Sequence, residues 1–143
     1  GHRVMLANNA GVSGHVSLGD DANVGGFVGI HQYVRVGRLA MLGGYSKVVR
    51  DVPPFSLVDG RPARVKGPNV TGLKRQQIPP ETRENLKQAF KLLYRSGLSL
   101  SHAIARIKEE IPPSPEIEDL LQFLAEIRQG YGGRARDPRG EAA

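Results

Sequence analysis

Cysteine is absent from the 143 residues, so disulfides and thiolate chemistry are excluded and an oxidising compartment is not called for. No apolar run approaches the length that crosses a bilayer. The first residues, "GHRVMLANN", lack the basic-then-hydrophobic order of a secretory leader. Also missing are a strand–GxGxxG–helix unit, a helix-turn-helix, a zinc finger and aromatics interleaved with basic residues. The expectation is a cytoplasmic protein that neither inserts in a membrane nor binds nucleic acid. What is present is a net charge of +6, with 39% hydrophobic and 24% charged residues. These proportions suit one or two small soluble domains. The charge calls for an anionic partner, and its sign alone does not choose among nucleic acid, nucleotide phosphates and an acidic protein.

Steps of six residues meet Leu6, Val12, Leu18, Val24, Ile30, Val36, Leu42 and Val48. The position after each is small at Ala7, Ser13, Gly19, Gly25, Gly37 and Gly43, with His31 as the bulky exception. A helix of 3.6 residues per turn would smear this repeat around its surface, and a strand of period two has no need of glycine at one phase. A triangular coil accounts for both: each hexad is one flat side, the aliphatic residue points inward and the small residue allows the bend. The spacing predicts a parallel β-helix with three hexads per coil over residues 1–67. Because the repeat is in frame from the start and no cap precedes it, the chain reads as the C-terminal part of a longer protein, cut inside its solenoid.

Pro53, Pro54, Pro62 and Pro68 then break the repeat, and residues 68–78 read as a connector. From residue 79 the period becomes helical. Pro79 and Pro80 open a helix with Leu86, Phe90, Leu93 and Tyr94 on one face, ended by Gly97. Ser99 caps a second with Ala103, Ile104 and Ile107, stopped by Pro112; Ser114 and Pro115 start a third that runs through Leu120 and Leu124 to Gly130. At roughly 50 residues such a three-helix unit, 79–130, must pack on a neighbour, either the β-helix or another subunit. The tail 131–143, "YGGRARDPRGEAA", reads as disordered.

"GHV", "HQ", "DVPP" and "GLKR" occur in this order within "LANNAGVSGHVSLGDDANVGGFVGIHQYVRVG" and "DVPPFSLVDGRPARVKGPNVTGLKR". Together with "KLLYRSG", these stretches resemble the C-terminal half of the UDP-N-acetylglucosamine O-acyltransferase family, from residue 1 to about 130. The resemblance implies a left-handed parallel β-helix of hexapeptide repeats followed by a small α-helical C-terminal domain. It implies a homotrimer with sites between subunits, which moves a 3-hydroxyacyl chain from acyl carrier protein to the sugar 3-hydroxyl of UDP-N-acetylglucosamine, the first step of lipid A biosynthesis. No metal or prosthetic group is required. By position, Gly14 resembles the residue whose N–H polarises the thioester carbonyl, an oxyanion donor, and His15 an imidazole that contacts substrate. His31 and Gln32 resemble the pair on the sugar and the cleft wall, and Gly44 a position lining the acyl groove. Asn69 and Arg75 resemble residues that hold the nucleotide end, where a guanidinium offers a fork of donors to a pyrophosphate. The family's general base, a histidine about one coil before His15, lies outside these residues, so the chain by itself is expected to be inactive. Pro62 stands where a histidine closes the acyl groove, Thr71 where an acidic residue lies near the nucleotide, and Gln76 where a second basic residue follows Arg75.

Without the resemblance, His15 and His31 read as ordinary turn histidines. Their separation falls two positions short of a three-hexad coil, which places both near one corner of neighbouring coils. Two clustered imidazoles also suit a zinc enzyme of the hexapeptide carbonic anhydrase kind. No third histidine has the coil spacing, however: His2 lies too close before His15, and His102 falls in the helices. A non-catalytic trimeric scaffold is the other alternative. Lys74 and Arg75 read as solvated charges in the absence of "GLKR". Lys87, Lys91, Arg95 and Arg106 form either an exposed face or a dock for the acidic carrier, and Tyr94 reads as core.

Overall fold

A computed structural model describes residues 1–138. Its first part consists of two-residue strands, β1 Met5–Leu6, β2 Gly11–Val12, β3 Ser17–Leu18, β4 Asn23–Val24, β5 Gly29–Ile30, β6 Arg35–Val36, β7 Met41–Leu42 and β8 Lys47–Val48. From β1 to β5 each pairs in parallel with the strand three further on, giving the columns β1-β4-β7, β2-β5-β8 and β3-β6. Leu6 lies opposite Val24 and Val12 opposite Ile30, so one coil takes three hexads. The fold is a left-handed parallel β-helix. Val24, Ile30, Val36, Leu42 and Val48 fill its axis together with Ala22, Val28, Val34 and Ala40. Full burial of side chains of the larger kind contributes about 1.5–3 kcal/mol each.

The corners correct one expectation. The glycines do not make the bend. The residue in the left-handed region is the third after each inward aliphatic and carries a side chain: Asn9, His15, Asp21, Phe27, Tyr33, Leu39 and Tyr45, with φ between 57° and 65°. Glycine directly after the inward aliphatic answers to clearance between coils. A Cβ on Gly25 would lie 2.8 Å from both Gly44 N and Leu42 O, and one on Gly19 2.5 Å from Arg38 N. In the β2-β5-β8 column the same phase holds Ser13, His31 and Val49. His31 therefore sits in the column where this phase carries a side chain in every coil.

The repeat ends where Phe55, buried with φ 65°, turns the chain into β9 Ser56–Gly60. This strand runs parallel to β7 and pairs antiparallel with β10 Ala63–Pro68. The stretch read as a connector holds a short helix, α1 Val70–Arg75, with Leu73 buried. Three helices follow, α2 Pro80–Tyr94, α3 Leu100–Glu110 and α4 Pro115–Arg128. Ser99 and Ser114 accept from His102 N and Ile117 N as N-caps, and Gly97 and Gly130 take positive φ after the helices they end. Leu86, Phe90, Ile107 and Leu120 close around Leu39 and Phe55, so the β-helix of the same chain completes the helical core. Helix α4 also lies on the β3-β6 side. There Arg35 pairs with Glu126 and sits 4.6 Å over the Phe123 ring, and Arg38 bonds Asp119 at 2.9 Å and lies 4.9 Å over Phe55.

Two more readings change. Tyr94, read as core, is 41% exposed at the end of α2, its ring 5.7 Å from Phe90. The tail read as disordered forms a 3₁₀ turn at Gly133–Arg136, with Arg134 and Asp137 buried. Composition predicted too little cohesion there; the missing contribution is tertiary, a set of hydrogen bonds to Asp51 and Gln32. Residues 139–143 of that tail lie outside the described residues. Among the described residues, no helix is long and apolar enough to cross a membrane.

Candidate active site

The prism has three vertices. The first carries Phe27 and Tyr45, whose rings stack at 5.1 Å, the second His15 and Tyr33, and the third Asp21 and Leu39. Four of the candidate residues share the second vertex. His15 stacks on Tyr33 with centroids 4.6 Å apart and planes 10° from parallel. His31, half-buried, donates its N–H to Val48 O at 2.9 Å and begins the turn that contains Gln32. Gly14 is exposed, and its carbonyl accepts from Tyr33 N. Among the described residues the Gly14 N–H has no protein acceptor, a property this turn phase shares at Gly26 and Gly44. A backbone donor that the fold leaves unpaired beside an imidazole is the arrangement an oxyanion needs.

Gly44 is on the first vertex, across the β2-β5-β8 face from His31. That face is shallow, because its outward positions include Gly11 and Gly29. Neither is dictated by packing, since a Cβ on Gly29 would meet nothing within 4 Å. A groove of ≈ 390 Å³ runs along it, lined by Ser13, His31, Lys47 and Val49.

The remaining two candidates sit elsewhere. Asn69 is committed to the fold, as its Oδ1 accepts from Gly72 N at 3.2 Å as the cap of α1 and its Nδ2 donates to Leu39 O at 3.0 Å at the third vertex. Arg75, in the last turn of α1, is exposed and lines a groove of ≈ 520 Å³ with Asp21, Asn23, Met41 and Thr71. The Arg3 guanidinium holds the Asp21 carboxyl below its usual range on this side, through a hydrogen bond and its charge. One chain thus brings Gly14, His15, His31 and Gln32 together and leaves Gly44, Asn69 and Arg75 at the other vertices.

Sequence reasoning missed Tyr33 and Arg134. Tyr33 lies one full coil after His15, so the period contained that signal; Arg134, in a glycine-rich tail, offers none. Of the basic residues on the helices, Arg106 is paired with Glu110 at 3.0 Å. Lys87 and Lys91 of α2 instead surround, with Arg95 just after it and Lys66 of β10, one groove floored by Phe90 and Tyr94. Among the described residues no three His, Asp or Glu side chains are grouped so as to hold a metal ion, and nothing in the geometry favours the zinc alternative.

Known proteins are similar to this chain in sequence and in fold. The profile of a family described as UDP N-acetylglucosamine O-acyltransferase, domain 2, matches residues 51–132, more than half of the chain. The acyl-[acyl-carrier-protein]–UDP-N-acetylglucosamine O-acyltransferase of Thiobacillus denitrificans is 43% identical over 130 residues, covering 91% of this chain and 50% of the relative. The protein of the same name from Synechocystis is 37% identical, covering 96% and 49%. The solved structure of LpxA from Acinetobacter baumannii superposes with a TM-score of 0.81 at 40% identity, over 86% of this chain and 48% of that one. Arabidopsis UDP-N-acetylglucosamine acyltransferase gives 0.79 at 28% identity, over 90% and 46%. The chain spans about half the length of the curated relatives it matches. With the family's profile matching more than half of the chain and a relative 43% identical over 91% of it, the chain belongs to the UDP-N-acetylglucosamine O-acyltransferase family.

Proposed function

We propose that this chain is the C-terminal portion of a cytoplasmic, homotrimeric acyltransferase that moves a 3-hydroxyacyl group from acyl carrier protein to the 3-hydroxyl of UDP-N-acetylglucosamine, opening lipid A synthesis. The observation that carries the reading is the second vertex, where an unpaired Gly14 N–H, His15 and His31 meet at the edge of a shallow groove. A histidine outside these residues takes the proton of the sugar hydroxyl, and the oxygen attacks the thioester carbonyl. The Gly14 N–H stabilises the oxyanion, the C–S bond breaks, and the carrier thiol leaves with the proton from the imidazolium. His15 and His31 hold substrate, with Gln32 beside them. Gly44 and the glycine-floored face leave room for the acyl chain, and Arg75 takes the nucleotide end from the helix that Asn69 caps. Lys66, Lys87, Lys91 and Arg95 favour encounter with the acidic carrier. The trimer is supported by the separation of the candidate residues over three vertices, which two neighbouring copies can bring together.

The test is acyl transfer by the complete native polypeptide containing these residues. Transfer is expected, with His31→Ala reducing kcat/KM by about tenfold or more, as loss of a hydrogen bond to substrate does. Absence of transfer by the complete polypeptide overturns the reading, and turnover by the 143 residues alone overturns the assignment of the base outside them.

A further inference from the structure

Between coils, one hydrogen bond recurs at every vertex. The carbonyl of the second residue after each inward aliphatic accepts from the N–H one coil and one position later. The series runs His2 O from Asp21 N, Asn8 O from Phe27 N, Gly14 O from Tyr33 N, Asp20 O from Leu39 N and Gly26 O from Tyr45 N, all at 2.8–3.1 Å. Gln32 is the next in this series, and below it the chain departs from the repeat, reaching Val52 opposite Val36 two residues early, before Phe55 N restores the rung at Arg38 O at 2.9 Å. Its carbonyl accepts instead from Nη1 of Arg134, far along the chain, at 2.9 Å. The guanidinium is buried, and the same Nη1 bonds Asp137 Oδ2 at 2.9 Å. The Arg134 N–H donates to both oxygens of Asp51 at 3.0 and 3.1 Å, while Asp51 Oδ1 also accepts from Arg35 N at 2.9 Å. Gly133, at φ 64°, lies against that carboxylate so closely that a Cβ could not fit. The tail is therefore seated by backbone as well as side chain.

We infer that Arg134 is a positioning residue for the His31–Gln32 turn: its guanidinium supplies the rung that departure from the repeat removes, and so fixes the direction of both side chains at the second vertex. A rung from a neutral N–H is replaced by a charge-assisted one, the stronger kind. The consequence for transfer rests on the function proposed above; the fixing of the turn does not.

The test uses the complete native polypeptide carrying Arg134→Ala or Arg134→Lys. Amide hydrogen exchange at Tyr33 and Val34, whose N–H groups donate to Gly14 O and His31 O, is expected to accelerate roughly tenfold or more in the alanine variant. The lysine variant should fall between, since one ammonium keeps the charge and loses the planar fork, and exchange at Gly25 and Gly43 should stay at the parental rate in both. Transfer should lose kcat with little change in the KM for the acylated carrier. Unchanged exchange at Tyr33 and Val34 overturns the inference, as does equal acceleration at Gly25 and Gly43, the mark of general destabilisation. Local acceleration with parental kcat overturns its catalytic consequence. If the parent polypeptide transfers nothing, the proposed function fails and the exchange arm still decides whether Arg134 holds the turn.

Discussion

At Gly37 the coil below approaches so closely that a methyl group would land on the backbone and ring of Pro54, whereas at Gly29 it would meet open space. Gly37→Ala should therefore cost about 1–3 kcal/mol, as overpacking does, and Gly29→Ala should stay within about 0.5 kcal/mol. Urea unfolding of the two variants measures the difference. The same pair shows what could be read in the sequence. Periodicity named the phase that wants a small residue and every inward aliphatic from Val24 to Val48. It did not say whether smallness served the bend or the clearance, because both leave glycine at the same interval. Only the observed φ values separate them, and they assign the bend to residues as large as Phe27 and Tyr45. His15 and His31 were legible as neighbours, while the ring that His15 touches is that of Tyr33.

Elements whose ends carry their own chemistry were legible as well: proline at the start of α2 and α4, serine before α3 and α4, glycine after α2 and α4. Helix α1 was not, since "VTGLKR" includes a β-branched pair and a glycine. Its stability comes from the Asn69 cap and the burial of Leu73. Docking of α4 has a pH signature. Hydrogen bonding from Gln122, then the Arg35 guanidinium, holds the Glu126 carboxyl below its usual range. Stability from that group is complete above the ordinary glutamate range and is lost as pH falls through the lowered value. Asp51 runs the other way. Burial pushes its carboxyl up against the pull of two backbone N–H groups and two arginines, so its contribution is present below the ordinary aspartate range and lost as pH rises through the raised value. Glu126→Gln should flatten the acid limb of a thermal-midpoint profile taken from about pH 6 to pH 3. The neutral-pH loss should be under about 1 kcal/mol, because the Arg35–Glu126 pair is about one-third exposed. An unchanged acid limb would remove the pair from the docking of α4.

On the scale of the assembly, the vertices make a distinct demand. If each site joins the second vertex of one copy to the α1 groove of the next, His15→Ala and Arg75→Ala subunits should complement. Each variant alone should be impaired, and randomly mixed trimers should regain up to roughly a quarter of parental transfer, the fraction of sites free of both lesions. Failure to regain activity in mixed trimers would place each site within a single chain. The hairpin that ends the solenoid has an effect of another kind. A parallel stack is an open template, able to take on strand after strand from other molecules. Here β9 accepts β10 in the antiparallel sense, and Arg95, directly after α2, donates to the carbonyl of Lys66 on that last strand at 2.9 Å. The hairpin, held by the residue that follows α2, thus serves as a terminator: it uses up the growing edge of the β1-β4-β7 column within the chain, so that strands of other molecules do not add to it at this end.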